Sequence, residues 1–234
     1  MGRLNAERQG DPALGRALRR LASWQAARLG ETYADLAAQP RYSEAIAFFK
    51  TDLYGVGDFA RRDADLTRAA PSMMRILPAS VIGSVATAME LHALSEELDR
   101  LLLAKLPRTD APLTVVEYCE AYRAMDRRSE RERQIELIGE FGHALDGYLR
   151  TPLIKTALRL MRHPARVAGL GTLQAFLERG CSAFLRMHGA AEFLATIDRR
   201  ERALMTSIFA GATAPFAEPV VRADNSEPTG PGRG

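Results

Sequence analysis

The chain has 234 residues, 47% hydrophobic and 26% charged, a balance that excludes a disordered polymer and provides enough apolar residues for one sizeable core. Its formal charge of +3 comes from 32 basic and 29 acidic residues spread along the sequence, and the only lysines are Lys50, Lys105 and Lys155. No clustered basic footprint is present, so specific nucleic-acid binding is not expected.

Met1 to Asp11 contain no apolar run of the kind a secretory signal needs, and no later stretch approaches the roughly 18 uncharged apolar residues of a membrane span. Met1-Gly2 begins like a myristoylation signal, but Ala6 stands where that signal requires Ser or Thr. Cys119 and Cys181 are too few for a disulfide framework and are expected to be reduced thiols. Together these features predict a bacterial-type cytoplasmic protein.

Asp11-Pro12 reads as an N-cap followed by proline at the first helical position, opening a helix to about Gln39 with Leu14, Leu18, Leu21, Ala22 and Gln25 on one stripe. Pro40 restarts the chain. A short helix over Glu44 to Leu53 is stopped by Tyr54-Gly55-Val56-Gly57, and Asp58 caps another that Pro71 ends. From Ala79 to Leu106, Ile82, Val85, Met89 and His92 fall on one face and Leu91, Leu94, Leu98 and Leu102 on the opposite one. A helix apolar all round is expected to be buried, at the centre of the fold.

Val115, Tyr118, Cys119 and Tyr122 form a stripe on the next helix. Asp126 through Arg133 reads as the solvated first turns of a long helix with Gln134, Ile138, Phe141, Leu145 and Leu149 inward. Pro152 opens a helix with Ile154, Ala157, Leu158 and Met161 inward, which His163-Pro164 is expected to break. Two further helices, from about Ala165 to His188 and Ala190 to Ala210, are closed by Gly189 and Gly211. The reading is all-α: one domain over 12–216 of about eight to nine helices around the 79–106 helix, and a disordered tail over 217–234 without an apolar pattern.

Phe48-Phe49-Lys50-Thr51-Asp52-Leu53-Tyr54-Gly55, with Asp58-Phe59 and Arg62-Asp63, resembles a proteobacterial family, the FFLEELY-motif proteins. LSEELD at Leu94 to Asp99, RERQIELI at Arg131 to Ile138, and the run from Met161 to Ile197 resemble the same family. The likeness spans roughly residues 41–216. Lys50, Thr51 and Asp52 depart from the eponymous Leu-Glu-Glu. The resemblance implies domain limits and no catalytic residue.

Every motif that resembles chemistry is incomplete. Glu140 and His143 have the spacing of a di-iron ligand pair but fall about 200° and 140° from Ile138 on the helical wheel, facing water. Glu90 and Glu97 lie in the most apolar helix, where a buried carboxylate would pair with an arginine, for instance between Phe59 and Arg75, or mark a site. His92 reads as a satisfied core histidine. His188 shares a sector with Cys181, so the pair could reach one metal or haem iron, or His188 could cap its helix. Lys155, Arg159, Arg162 and Arg166 look like an anion-binding or membrane-surface stripe, but they lie opposite Ile154, Leu158 and Met161, and a solvated face explains them without a partner. The Tyr54 to Asp58 loop, an aromatic between helices with two glycines and the Arg62-Asp63 pair beside it, is the sharpest binding candidate.

These observations favour a non-enzymatic binding or interaction module with an unknown protein or small-molecule partner. The alternative is a helical ligand-, haem- or metal-binding protein, possibly catalytic. No cofactor is predicted, and homo-oligomerisation is open.

Overall fold

The computed structural model describes residues 11–53, 65, 68, 79–107 and 112–221. Among these the chain forms nine α-helices, one short π-helical segment and no strand. Asp11 caps α1 (Pro12–Thr32) as its sequence predicts, its carboxylate accepting from the amides of Ala13 at 2.9 Å and Leu14 at 3.1 Å. The helix does not continue to Gln39. It breaks at Tyr33, whose ring is buried and whose hydroxyl donates to Glu201 at 2.7 Å, before the single turn α2 (Ala34–Ala37).

Next, α3 (Ser43–Phe48) runs into the π-helical segment Phe49–Leu53. It is followed by α4 (Ala79–Lys105), α5 (Val115–Ala124), α6 (Arg128–Leu149), α7 (Pro152–Val167), α8 (Gly171–Arg186) and α9 (Ala191–Phe209). Thr114 and Glu117 close a capping box on α5, with the Thr114 hydroxyl accepting from the Glu117 amide and the Glu117 carboxylate from the Thr114 amide.

Two apolar clusters make the core. In one, Leu21 and Trp24 of α1 meet Leu102 and Leu103 of α4, Tyr118 and Tyr122 of α5 and Met205 and Ile208 of α9. In the other, Tyr33 and Ile46 meet Leu149 of α6, Phe184 of α8 and Phe193 and Leu194 of α9. Helices α1, α6 and α9 contribute to both, and α6 lies between α4 and α9.

Burial of α4 is one-sided. Leu98, Leu102 and Leu103 are buried against α1, α5 and α6, while no side chain described over 81–95 is fully buried and Met89 is 40% exposed. Hydrophobicity all round does not by itself bury a helix along its whole length.

Three further expectations are corrected. Pro164 does not break α7, which continues to Val167; the carbonyl that proline leaves without an amide belongs to exposed Leu160, where water can serve it. The stop comes at Gly169 (φ +70°), where Leu170 N–H donates to Ala165 O and Gly169 N–H to Arg166 O. At the end of α8 the left-handed position is taken by His188 (φ +50°) before Gly189 (φ +114°). Finally, the packed domain extends past Phe216: that ring lies 6.1 Å from Trp24, Glu218 accepts from the Val115 amide at 3.2 Å and Pro219 is buried.

Candidate functional site

Of the sequence-predicted residues, Tyr54, Asp58, Arg62 and Asp63 lie outside the described residues. Glu90 is on the surface, not in the core, and its partner is Arg133 of α6 rather than an arginine between Phe59 and Arg75. Arg133 Nε donates to Glu90 at 3.0 Å and Nη1 to Glu140 at 2.8 Å. The wheel did not foresee this because α4 has one covered side at this level, which puts Glu90 at the rim of the α4–α6 contact. Glu97 is exposed; the buried carboxylate of this stretch is its neighbour Glu96, with Oε1 3.9 Å from partly exposed His92 Nε2. His143 is exposed, as its wheel position predicts.

His188 is exposed and in the left-handed conformation, so it belongs to the termination of α8. Burial pushes the Cys181 thiol up to about 11, and that of Cys119 likewise to about 11, so neither is poised as a nucleophile or thiolate ligand at neutral pH. Among the described residues no group of three His, Cys, Asp or Glu side chains is placed to hold a metal ion.

Sequence reasoning missed a layer of polar side chains inside the first core cluster. Gln25 donates to Asp99 at 2.9 Å, and Arg28 makes two 3.3 Å bonds to Glu201, which also accepts from Tyr33. Arg131 is buried with its guanidinium carbon 4.5 Å from the Tyr122 ring centroid and bonds to Gln134, which donates to Ser95 at 2.7 Å. Trp24 stacks on Tyr118 at 4.6 Å. Burial raises the pKa of both Tyr118 and Tyr122, making their hydroxyls poor acids. The layer ties α1, α4, α5, α6 and α9 together and pairs no nucleophile with a base. Two signals for it were legible: Gln25 sits on an apolar stripe, and Arg131 is one turn from buried Ile135.

The other unusual feature is α7. On its domain-facing side, among the described side chains, Ala165 is buried and Leu158 half-buried, Gln174 of α8 donates to Leu158 O at 2.7 Å, and Arg162 grips Glu178 at 2.6 and 2.9 Å. Met161, expected inward, is 51% exposed, with Leu160 at 71% and Val167 at 77%. Arg159, Arg162, His163 and Arg166 are exposed on the remaining arc. Leu160, Met161 and Val167 are thus apolar side chains that the packing leaves largely uncovered, which the sequence pattern alone could not reveal. Nearby, Arg68 donates to Gly169 O at 3.1 Å at the end of α7.

An all-helical domain with a closed interior polar layer and an outward amphipathic helix is the class that the fold defines. The chain belongs to a family described as a domain of unknown function, DUF8198, whose family model matches residues 4–215. No curated protein and no solved structure matches it.

Proposed function

We propose that this chain is a non-enzymatic binding domain of the cytoplasm that docks through the outward face of α7. The supporting observation is the concentration of exposed aliphatic side chains there: Leu160, Met161 and Val167 stand out from one 16-residue helix whose charged residues are all basic. Exposed apolar side chains grouped beside polar ones mark interaction surfaces, whereas single ones are ordinary. Two free thiols accord with a reducing compartment. Among the described residues no helix is long and apolar enough to cross a membrane.

The Tyr54 to Asp58 loop with the Arg62-Asp63 pair is a second proposed binding element, supported by its sequence of an aromatic, two glycines and a charge pair. The segments FFKTDLYG, LSEELD and RERQIELI support the finer reading that the family is that of the proteobacterial FFLEELY-motif proteins.

The test is fractionation of the full chain expressed in its native cell. The wild type is expected above monomer mass or in the particulate fraction. A Leu160→Ser/Val167→Ser variant, and separately Tyr54→Ala, should move to free monomer at unchanged melting temperature. Identical fractionation of wild type and the α7 variant would refute docking through α7.

A further inference from the structure

We propose that the occupant of the outward face of α7 is an anionic lipid bilayer, on which the helix lies flat; this rests on the docking role of α7 and names its partner. Placed at about 100° per residue, the helix has three sectors. Leu158 and Ala165 point to the domain. On one side of them lies an arc of Arg162, Arg166, Arg159 and His163, and on the other an arc of Met161, Leu160 and Val167. Away from the protein, cationic and aliphatic surface therefore meet along one line.

That is the arrangement an interfacial helix needs. Its apolar arc enters the acyl boundary to about 5–10 Å while guanidinium groups sit at phosphate depth. The charge is one-signed: Lys155, Arg159, Arg162 and Arg166 are accompanied by no Asp or Glu within the helix. Glu178 holds Arg162 through hydrogen bonds, which fixes the helix on the domain, while Arg159 and Arg166 are exposed to solvent, Arg166 within the field of the same carboxylate. A second copy of this chain is a poor occupant, since it would bring a like-charged arc, and three aliphatic side chains fall well short of the ~800 Å² per partner of a stable dimer. Nucleic acid would use the arginines but leave the aliphatic arc in water, and this helix carries no Phe, Tyr or Trp for base stacking.

The experiment is co-sedimentation of the full chain with vesicles of phosphatidylcholine alone or mixed equally with phosphatidylglycerol. Binding is expected to the anionic vesicles, weaker at high salt, and absent on phosphatidylcholine. Arg159→Gln/Arg166→Gln should weaken it about 30-fold, from a contribution of about fivefold per arginine. Leu160→Ser/Val167→Ser should abolish it, both variants keeping the wild-type helical spectrum and melting temperature. In a Leu160→Trp variant the new indole should shift to shorter wavelength on anionic vesicles, while buried Trp24 stays constant. No binding to anionic vesicles, or equal binding by the variants, overturns the lipid partner. So does a concentration-dependent dimer that Leu160→Ser/Val167→Ser abolishes. If vesicles fail while the α7 variant still alters native fractionation, the lipid is refuted and the docking face stands; unchanged fractionation refutes both.

Discussion

Replacing Gly142 by alanine tests how closely α6 and α9 approach. A β-carbon built at Gly142 would lie 2.5 Å from Leu194 Cδ2, 3.0 Å from Cδ1 and 3.3 Å from Cγ, where carbon atoms settle at roughly 3.5–4.0 Å. Leu194 is 3% exposed among Leu149, Phe184 and Phe193, so about 1 Å must come from a packed cluster. Overpacking of this kind costs about 1–3 kcal/mol, offset by the gain of up to about 1 kcal/mol from exchanging glycine for alanine in a helix. The net expectation is a loss of about 1 kcal/mol, or a fall of about 2–4 °C in Tm for a chain of this size. Gly139, on the same helix, is the control: its β-carbon meets nothing within 4 Å, and Gly139→Ala should stabilise by about 0.5–1 kcal/mol. Leu194→Ala alone should cost about 2–5 kcal/mol and open the space, so Gly142→Ala in that background should turn stabilising. Urea unfolding of the four members of this cycle measures the change of sign. Stabilisation of the wild type by Gly142→Ala, or an equal effect in both backgrounds, would refute the close approach.

Other perturbations address charge, thiols and the chain end. The Arg200 guanidinium bonds to Asp35 at 2.6 and 2.8 Å and lowers its carboxyl from 3.8 to about 2. A depressed folded-state value means that the pair's contribution is present above pH 3.8 and lost as pH falls through about 2; carboxyl NMR should place the midpoint there and Arg200→Ala return it to the ordinary range. With both thiols pushed up to about 11, iodoacetamide at neutral pH should modify Cys119 and Cys181 slowly in the native protein and rapidly in urea; free-thiol rates at Cys181 in the native state would contradict its burial. Glu218→Ala should lower stability by about 0.5–1 kcal/mol, because its carboxylate accepts from the first amide of α5, and an unchanged urea midpoint would show that the contact is idle.

What was legible in the sequence was local. Asp11-Pro12 starts α1 because one carboxylate and one fixed φ act within a single turn, and Val115, Tyr118, Cys119 and Tyr122 are all buried because their spacing needs no knowledge of the neighbour. Arg131 was read as solvated within a charge run, yet it is buried over Tyr122, since what covers it comes from other helices. Arg28 finds Glu201 173 positions away, and Gln25 finds Asp99 74 away, separations that no pattern of period 3.6 encodes. Glu90 departs in the other direction: an apolar local sequence implies burial, but its side chain is half exposed beside Arg133. The candidate surface was harder still. The basic stripe of α7 was visible, whereas its meaning depends on whether Leu160, Met161 and Val167 are covered, and that is a property of the packed structure.

The way α7 is held bears on why its apolar side faces outward. An amphipathic helix normally stays on a domain by burying its whole apolar arc, at about 25 cal/mol for each Å² removed from water. Here Leu158 and Ala165 are the covered apolar side chains among those described, and two polar clamps from α8, Gln174 to the Leu158 carbonyl and Glu178 to Arg162, supplement them. Gly169 then ends the helix through backbone hydrogen bonds that require nothing from the outward side chains. None of these restraints involves Leu160, Met161 or Val167, so polar residues at exposed Leu160 and Val167 leave all of them in place. The restraints on α7 and the proposed docking side chains are in this way different residues of one helix, which is what allows the variants above to separate them.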